Sequence, residues 1–271
     1  MLHPSISINS LCILAGSLKT RVDMIARLGA KAISPMLEEV EEIGANTAAS
    51  LIRDASLDVA TFTHRAFGYA TAEEGREQCA RLNRSIDIAA TIGAQSITLT
   101  TGGRGRLNWA DAVERFAQEI QPSAEHARAA GIALSVEPTS HLYADASIAH
   151  RLSDLIAICR KAGIGLGIDL FACWFDSDIE DSIAAAVPLC HVVQVSDYVA
   201  GDRGLPCRAV PGDGMVPLDR LVAAIARTGY AGYFDLEIIG PRIDTEGVER
   251  ALSRAAIWLG SVLDGESKGG G

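Results

Sequence analysis

The sequence has no run of about 18 apolar residues, the length a membrane-spanning helix requires, so none is expected. It lacks the basic-then-apolar opening of a secretory leader. Its six cysteines, Cys12, Cys79, Cys159, Cys173, Cys190 and Cys207, include no CxxC pair. Scattered single cysteines in a chain this long read as reduced, mostly core thiols, so the expected compartment is cytoplasmic. Positive charge is short as well: 24 Lys and Arg face 34 Asp and Glu, for a net charge of −10. A nucleic-acid surface needs a basic patch, so neither nucleic acid nor membrane is an expected partner. Aromatic residues make up only 5%. No GxGxxG follows the first apolar segment, which removes the usual start of a dinucleotide-binding sheet.

What the chain does have is apolar mass: 48% of 271 residues, enough for a large core. It also has rhythm. The stretch His191 to Gly214, HVVQVSDYVAGDRGLPCRAVPGDG, opens as a buried strand that ends in the polar residues Gln194 and Asp197. A long Gly/Pro/Arg-rich loop follows it, and helix signals resume at Pro217. Seven further strands are read at Ser5 to Ile13, Lys31 to Ser34, Leu57 to His64, Ser96 to Thr101, Ile132 to Glu137, Ile164 to Phe171 and Tyr233 to Ile239. Helical spacing fills the gaps, often closed by a glycine such as Gly29, Gly93, Gly131 or Gly163. These helices are expected at Lys19 to Leu28, Leu37 to Ala55, Thr71 to Ile92, Trp109 to Ala130, Ser147 to Ala162, Asp178 to Val187, Leu218 to Thr228 and Thr245 to Leu263, with Asp145 or Ser147 capping the fifth. Eight strands alternating with eight helices predict an α/β fold, a (β/α)8 TIM barrel. It is expected as one domain over residues 1–265, with 266–271 (ESKGGG) a flexible tail.

A barrel shows its chemistry at the C-terminal ends of its strands. Four consecutive strands carry an oxygen donor there, each interrupting an apolar run: Glu137 in SVEPT, Asp169 in GIDLF, Gln194 in VVQVS and Glu237 in FDLEI. Buried carboxylates repel one another and are stable only with a partner. One solution is a hard divalent cation, Mn²⁺ or Mg²⁺, held by all four. The other is that each acid pairs with an arginine or caps a helix.

These residues give the chain a resemblance over residues 5–263 to the xylose isomerase-like TIM-barrel family, the sugar phosphate isomerase/epimerase superfamily. In that family the metal ligands are a Glu on strand five, an Asp on strand six, a His or Gln on strand seven and a Glu on strand eight. Glu137, Asp169, Gln194 and Glu237 stand at the matching positions. Gln194 in place of His is similar to the hydroxypyruvate isomerase branch. The segment Arg208-Ala-Val-Pro-Gly212-Asp-Gly214 resembles the family loop whose Arg holds substrate oxygens. The resemblance implies a metal-dependent sugar isomerase or epimerase working through an enediolate, with Glu137 and Glu237 as both ligands and acid/base pair. One departure stands out. The family often has a His three residues after the strand-six Asp, and here that position is Ala172, with Trp174 and Phe175 beside it. This favours a less hydrophilic substrate or a different reaction.

A divalent ion on a carbonyl and its neighbouring hydroxyl acidifies the intervening C–H. Carboxylates on two faces can then remove and return a proton. Given a leaving group at the β carbon, the same enolate leads to a lyase or dehydratase acting on a keto sugar or keto glycoside. Arg208 is read as a substrate anchor. His64 (end of the third strand), His141 (loop after Glu137) and Trp174 are further expected substrate contacts. Gly102 to Arg106 reads as a plain loop rather than a phosphate cradle, and Arg242 as a weak anion candidate. A DNA-repair endonuclease of the same superfamily would need more histidines and a basic groove. A non-catalytic barrel subunit is the other rival, favoured by Ala172 and opposed by the two glutamates. The expected partner is a small-molecule substrate, and self-association is left open.

Overall fold

A computed structural model describes residues 2–69 and 71–269. Its strands are β1 (Ile6–Asn9), β2 (Ala32–Ser34), β3 (Asp58–Val59), β4 (Phe62–Thr63), β5 (Ser96–Leu99), β6 (Ala133–Val136), β7 (Gly165–Asp169), β8 (Cys190–Val195), β9 (Asp197–Tyr198), β10 (Arg208–Ala209) and β11 (Tyr233–Leu236). Nine of them form one parallel sheet in the order β3-β2-β1-β11-β8-β7-β6-β5-β4. Because β3 and β4 are two pieces of the expected third strand, the sheet returns to its start and the architecture is a TIM barrel. β9 and β10 make a small antiparallel hairpin beyond the end of β8.

Alternation along the strands decides what faces where. In β1 the residues Ile6 and Ile8 pack outward under the helices, while Ser7 and Asn9 bond inside the ring. The same split recurs in β7, where Leu166 and Ile168 join the apolar core and Asp169 faces the site, and in β11 with Phe234 and Leu236 against Asp235. The core therefore lies between ring and helices, and the interior is small and polar. Ser7 bonds Ser34, Ser34 and Asn9 both donate to Asp235, and Thr61 bonds Thr98, all buried. Burial pushes the Asp235 carboxyl up to about 7 against the pull of its hydroxyl and amide donors. Across the ring, Asp169, Gln194, Asp235 and Ser7 are successive register partners, so one row carries four polar side chains.

The expected elements appear with shorter ends. Three expected helices are each split, the last of them at Gly247, between Pro241–Glu246 and Val248–Gly269. Leu37–Ile43 and Ala45–Asp54 break at Gly44, whose φ is +83°. Trp109–Glu119 and Gln121–Ala130 break just before Pro122, which has no N–H to continue the ladder. The helix expected from Ser147 begins at Leu152, and neither Asp145 nor Ser147 caps it; Asp176 Oδ2 accepts from Leu152 N instead. The last helix, Val248–Gly269, runs into the segment expected as a tail; Gly270 and Gly271 lie outside the described residues. Among the described residues no helix is long and apolar enough to cross a membrane.

Candidate functional site

Glu137 follows β6, Asp169 ends β7, Gln194 lies in β8 and Glu237 follows β11, so the ring brings all four to one end of neighbouring strands. Their centre is occupied by Arg208. Its Nη1 donates to Asp169 Oδ1 at 3.0 Å and to Ser196 Oγ at 2.9 Å. Its Nη2 donates to Asp169 Oδ2 at 2.7 Å and stands 3.3 Å from Glu237 Oε1. The guanidinium also lies over the Phe171 ring, 4.7 Å from its centroid. Arg208, expected from the sequence as a substrate anchor, is bonded here to the acids themselves. Asp169 both pairs with an arginine and caps a helix, since its Oδ1 accepts from Phe171 N.

The remaining donors are incompletely satisfied. Gln194 Nε2 donates to Glu237 Oε2 at 2.5 Å, but Gln194 Oε1 and Glu137 Oε2 are buried with no partner. Burial, reinforced by the charges of Glu237 and Asp169, holds the Glu137 carboxyl well above the usual carboxylate range. Burial also raises Glu237, against the opposing pull of Arg208. Burial works against the Arg208 charge, but Asp169 and Glu237 outweigh it and hold the guanidinium above its ordinary value. Three acids and one arginine leave the cluster short of positive charge, and two of its oxygens are orphaned. That donor set fits a hard cation. Among the described residues, however, no three His, Cys, Asp or Glu side chains are grouped as a metal site, and both Asp169 oxygens face Arg208.

Glu137, Asp169, Arg208 and Glu237 line a cavity of about 280 Å³, with Phe171, Ala172 and Leu205 on its walls. Its outer neighbour, of about 470 Å³, includes His141, Trp174, Phe175 and Tyr198. His141 and Trp174 therefore lie one compartment out from the acids. His64 lines neither. It is buried beyond β4 with both ring nitrogens unpartnered, and burial, aided by the charge of Arg81, pulls its pKa down to about 4. A larger cavity of about 850 Å³ lies by the loop 199–213, but convergence of acids, not volume, marks the site. Arg242 on its wall is committed to Asp202 through two hydrogen bonds. Gly102 N donates to Ala146 O, which leaves it unavailable to an anion.

The sequence reading missed what Asp197 does. Its buried carboxylate accepts from the backbone N–H groups of Tyr198, Gly212, Gly214 and Val216, folding the long loop so that Arg208 reaches the acids. The signal was available: an Asp two residues beyond a strand's last apolar position, followed by a Gly-rich loop, is a ready collector of loop amides. Ser196 and Phe171, which position Arg208, were also passed over, although both adjoin residues already singled out.

A family model described as a xylose isomerase-like TIM barrel matches residues 22–261. A protein from Sinorhizobium meliloti 1021 superposes with a TM-score of 0.86 at 25% identity, covering 93% of this chain and 96% of its own. A structure described as the IOLI protein with a bound zinc atom gives a TM-score of 0.85 at 15% identity, over 97% and 99%. An L-ribulose 3-epimerase gives 0.81 at 18% identity, over 97% and 96%. The last two likenesses establish the fold alone. No curated protein matches the sequence significantly.

Proposed function

We propose, from the premise that this chain belongs to the xylose isomerase-like TIM-barrel family, that it is a divalent-metal-dependent isomerase or epimerase of a sugar or small hydroxy-carbonyl compound. The observation that carries the reading is the pair Glu137 and Glu237, two buried carboxyls of raised proton affinity on the walls of one cavity. General base catalysis works best with a pKa near the working pH, and burial moves both in that direction. A zinc-bound protein and an L-ribulose 3-epimerase among the structural neighbours agree with this reading.

Glu137, Asp169, Gln194 and Glu237 would hold the cation through carboxylate oxygens and Gln194 Oε1. When bound, it polarises the carbonyl and adjacent hydroxyl of the substrate. Glu237 takes the proton from the carbon between them, and Glu137 delivers one to the opposite face. Arg208, tethered by Ser196 Oγ and Phe171, offers N–H donors to a substrate oxygen when it turns from Asp169. Epimerisation returns the proton to the same carbon from the opposite face and uses both glutamates, whereas isomerisation returns it to the former carbonyl carbon, with the hydroxyl proton passing to the former carbonyl oxygen, and can use one glutamate.

The test is hydrogen exchange. With Mn²⁺ or Mg²⁺ in D₂O, the parent should wash deuterium into the α position of at least one member of a ketose panel, read by NMR. Glu237→Gln keeps an oxygen donor and removes the base, so exchange should fall by more than about a hundredfold, in the range of a lost general base. Retention within about tenfold would remove Glu237 from the role.

A further inference from the structure

The chain has fourteen aromatic residues, and four of them form a continuous line outward from Arg208. Arg208 lies over Phe171 at 4.7 Å. Phe171 meets Tyr198 edge-on at 6.2 Å between centroids, Tyr198 meets Trp174 at 6.4 Å with the planes only 30° apart, and Trp174 meets Phe175 at 5.1 Å. This line walls the outer cavity of about 470 Å³. The outer cavity adjoins the inner one, since Ser140, Phe171, Ala172, Leu205 and Cys207 line both. Ala172 is one of these shared residues and places only a methyl group between the two. Apolar surface is kept in water at this mouth: Phe175 is 81% exposed and Leu142, on the facing loop, 62%. Large exposed side chains of this kind, gathered at a cavity rim, mark a ligand-binding surface.

We infer that the outer cavity is a second subsite that takes an aromatic substituent of the substrate, seated against Trp174 and Phe175 while the hydroxy-carbonyl head reaches Glu137 and Glu237. This rests on the reading of the inner cavity as the reaction site and adds the substrate class: a hydroxy-carbonyl sugar carrying an aryl group, rather than a bare monosaccharide. Ring stacking and apolar burial supply the preference, and Arg203 and His141 on the same wall leave room for a polar group on the aryl ring.

The experiment compares methyl and phenyl 3-keto-β-D-glucopyranosides, which share one head and differ in the substituent, by titration calorimetry on the Mn²⁺-supplemented protein. The phenyl compound should bind at least about tenfold tighter, and Phe175→Ala and Trp174→Ala should each narrow that ratio to within about threefold. Because Phe175 is almost wholly exposed, its replacement keeps the test alive if Trp174→Ala does not fold. Equal affinities in the parent, or no binding of either compound, overturn the subsite. So does a dimer dissociated by Phe175→Asp, which would assign the patch to a second copy of the chain. Deuterium exchange into unsubstituted ketoses judges the inner site separately. Exchange with equal affinities leaves the proposed function and removes the subsite, whereas phenyl preference without exchange on any compound does the reverse.

Discussion

Truncating Arg208 leaves Asp169 and Glu237 buried without their positive partner, with the half-buried Glu137 beside them. Breaking a buried pair from one side costs about 3–5 kcal/mol. Arg208→Ala should therefore lose about 3 kcal/mol of unfolding free energy in EDTA, and added Mn²⁺ should recover a large part of it. Urea titration checks both statements, and an unchanged midpoint in EDTA would show that the acids do not depend on the guanidinium. His64 makes a second prediction from the opposite charge. Its pKa is held near 4 by burial, against 6.5 when unfolded, so between those values the unfolded chain binds more protons. Stability supplied by the neutral ring is complete above pH 6.5 and is lost as pH falls toward 4, by at most about 3 kcal/mol. Replacing His64 by Leu should flatten that slope; a parallel pH profile would place the titration elsewhere.

At the scale of elements, the loop after β8 is where sequence and structure differ most usefully. Its length and its glycines were legible, but its organiser was not, because a carboxylate that collects four amides leaves no periodic trace. Gly214 shows how tightly the loop closes: a Cβ there would stand 2.3 Å from both Asp197 Oδ1 and Tyr198 O. Gly214→Ala should therefore displace the loop and carry Arg208 off the acids, lowering kcat/KM by at least about tenfold. Asp197→Ala, which strips all four hydrogen bonds, should cost about 3 kcal/mol or more, since bonds to a charged group contribute about 1.5–3 kcal/mol each. Thermal melts and kinetics on the two variants decide it, and parent-like kinetics in both would free the site from the loop. The eight βα units and the four strand-end donors were readable because alternation and interrupted apolar runs are local. The breaks at Gly44 and Pro122 depend on local chemistry also present in the sequence, yet helical periodicity on both sides hid them. The inward turn of Arg208 was not readable, since it depends on where a distant loop lands.

For the molecule as a whole, the ring carries all four candidate donors on β6, β7, β8 and β11, one contiguous arc. The opposite arc contains the divided third strand. β3 is laddered to β2 and reaches the other side through a single bridge, Val59 to Ala94; β4 is laddered to β5 and reaches back only through Met36 to Thr63. A closed ring has no edge to fray, so any partial opening has to begin at an internal joint. On each side of this strand the ladder is interrupted, two paired rungs and one isolated bridge, which makes it the joint expected to open first. Native-state amide exchange should then be fastest, among the barrel strands, over residues 57–64 and slowest over 190–195, and uniform protection would mean that the ring opens only as a unit. Opening on that arc would leave the strands that aim the four candidate donors paired, since they lie on the opposite half of the circle.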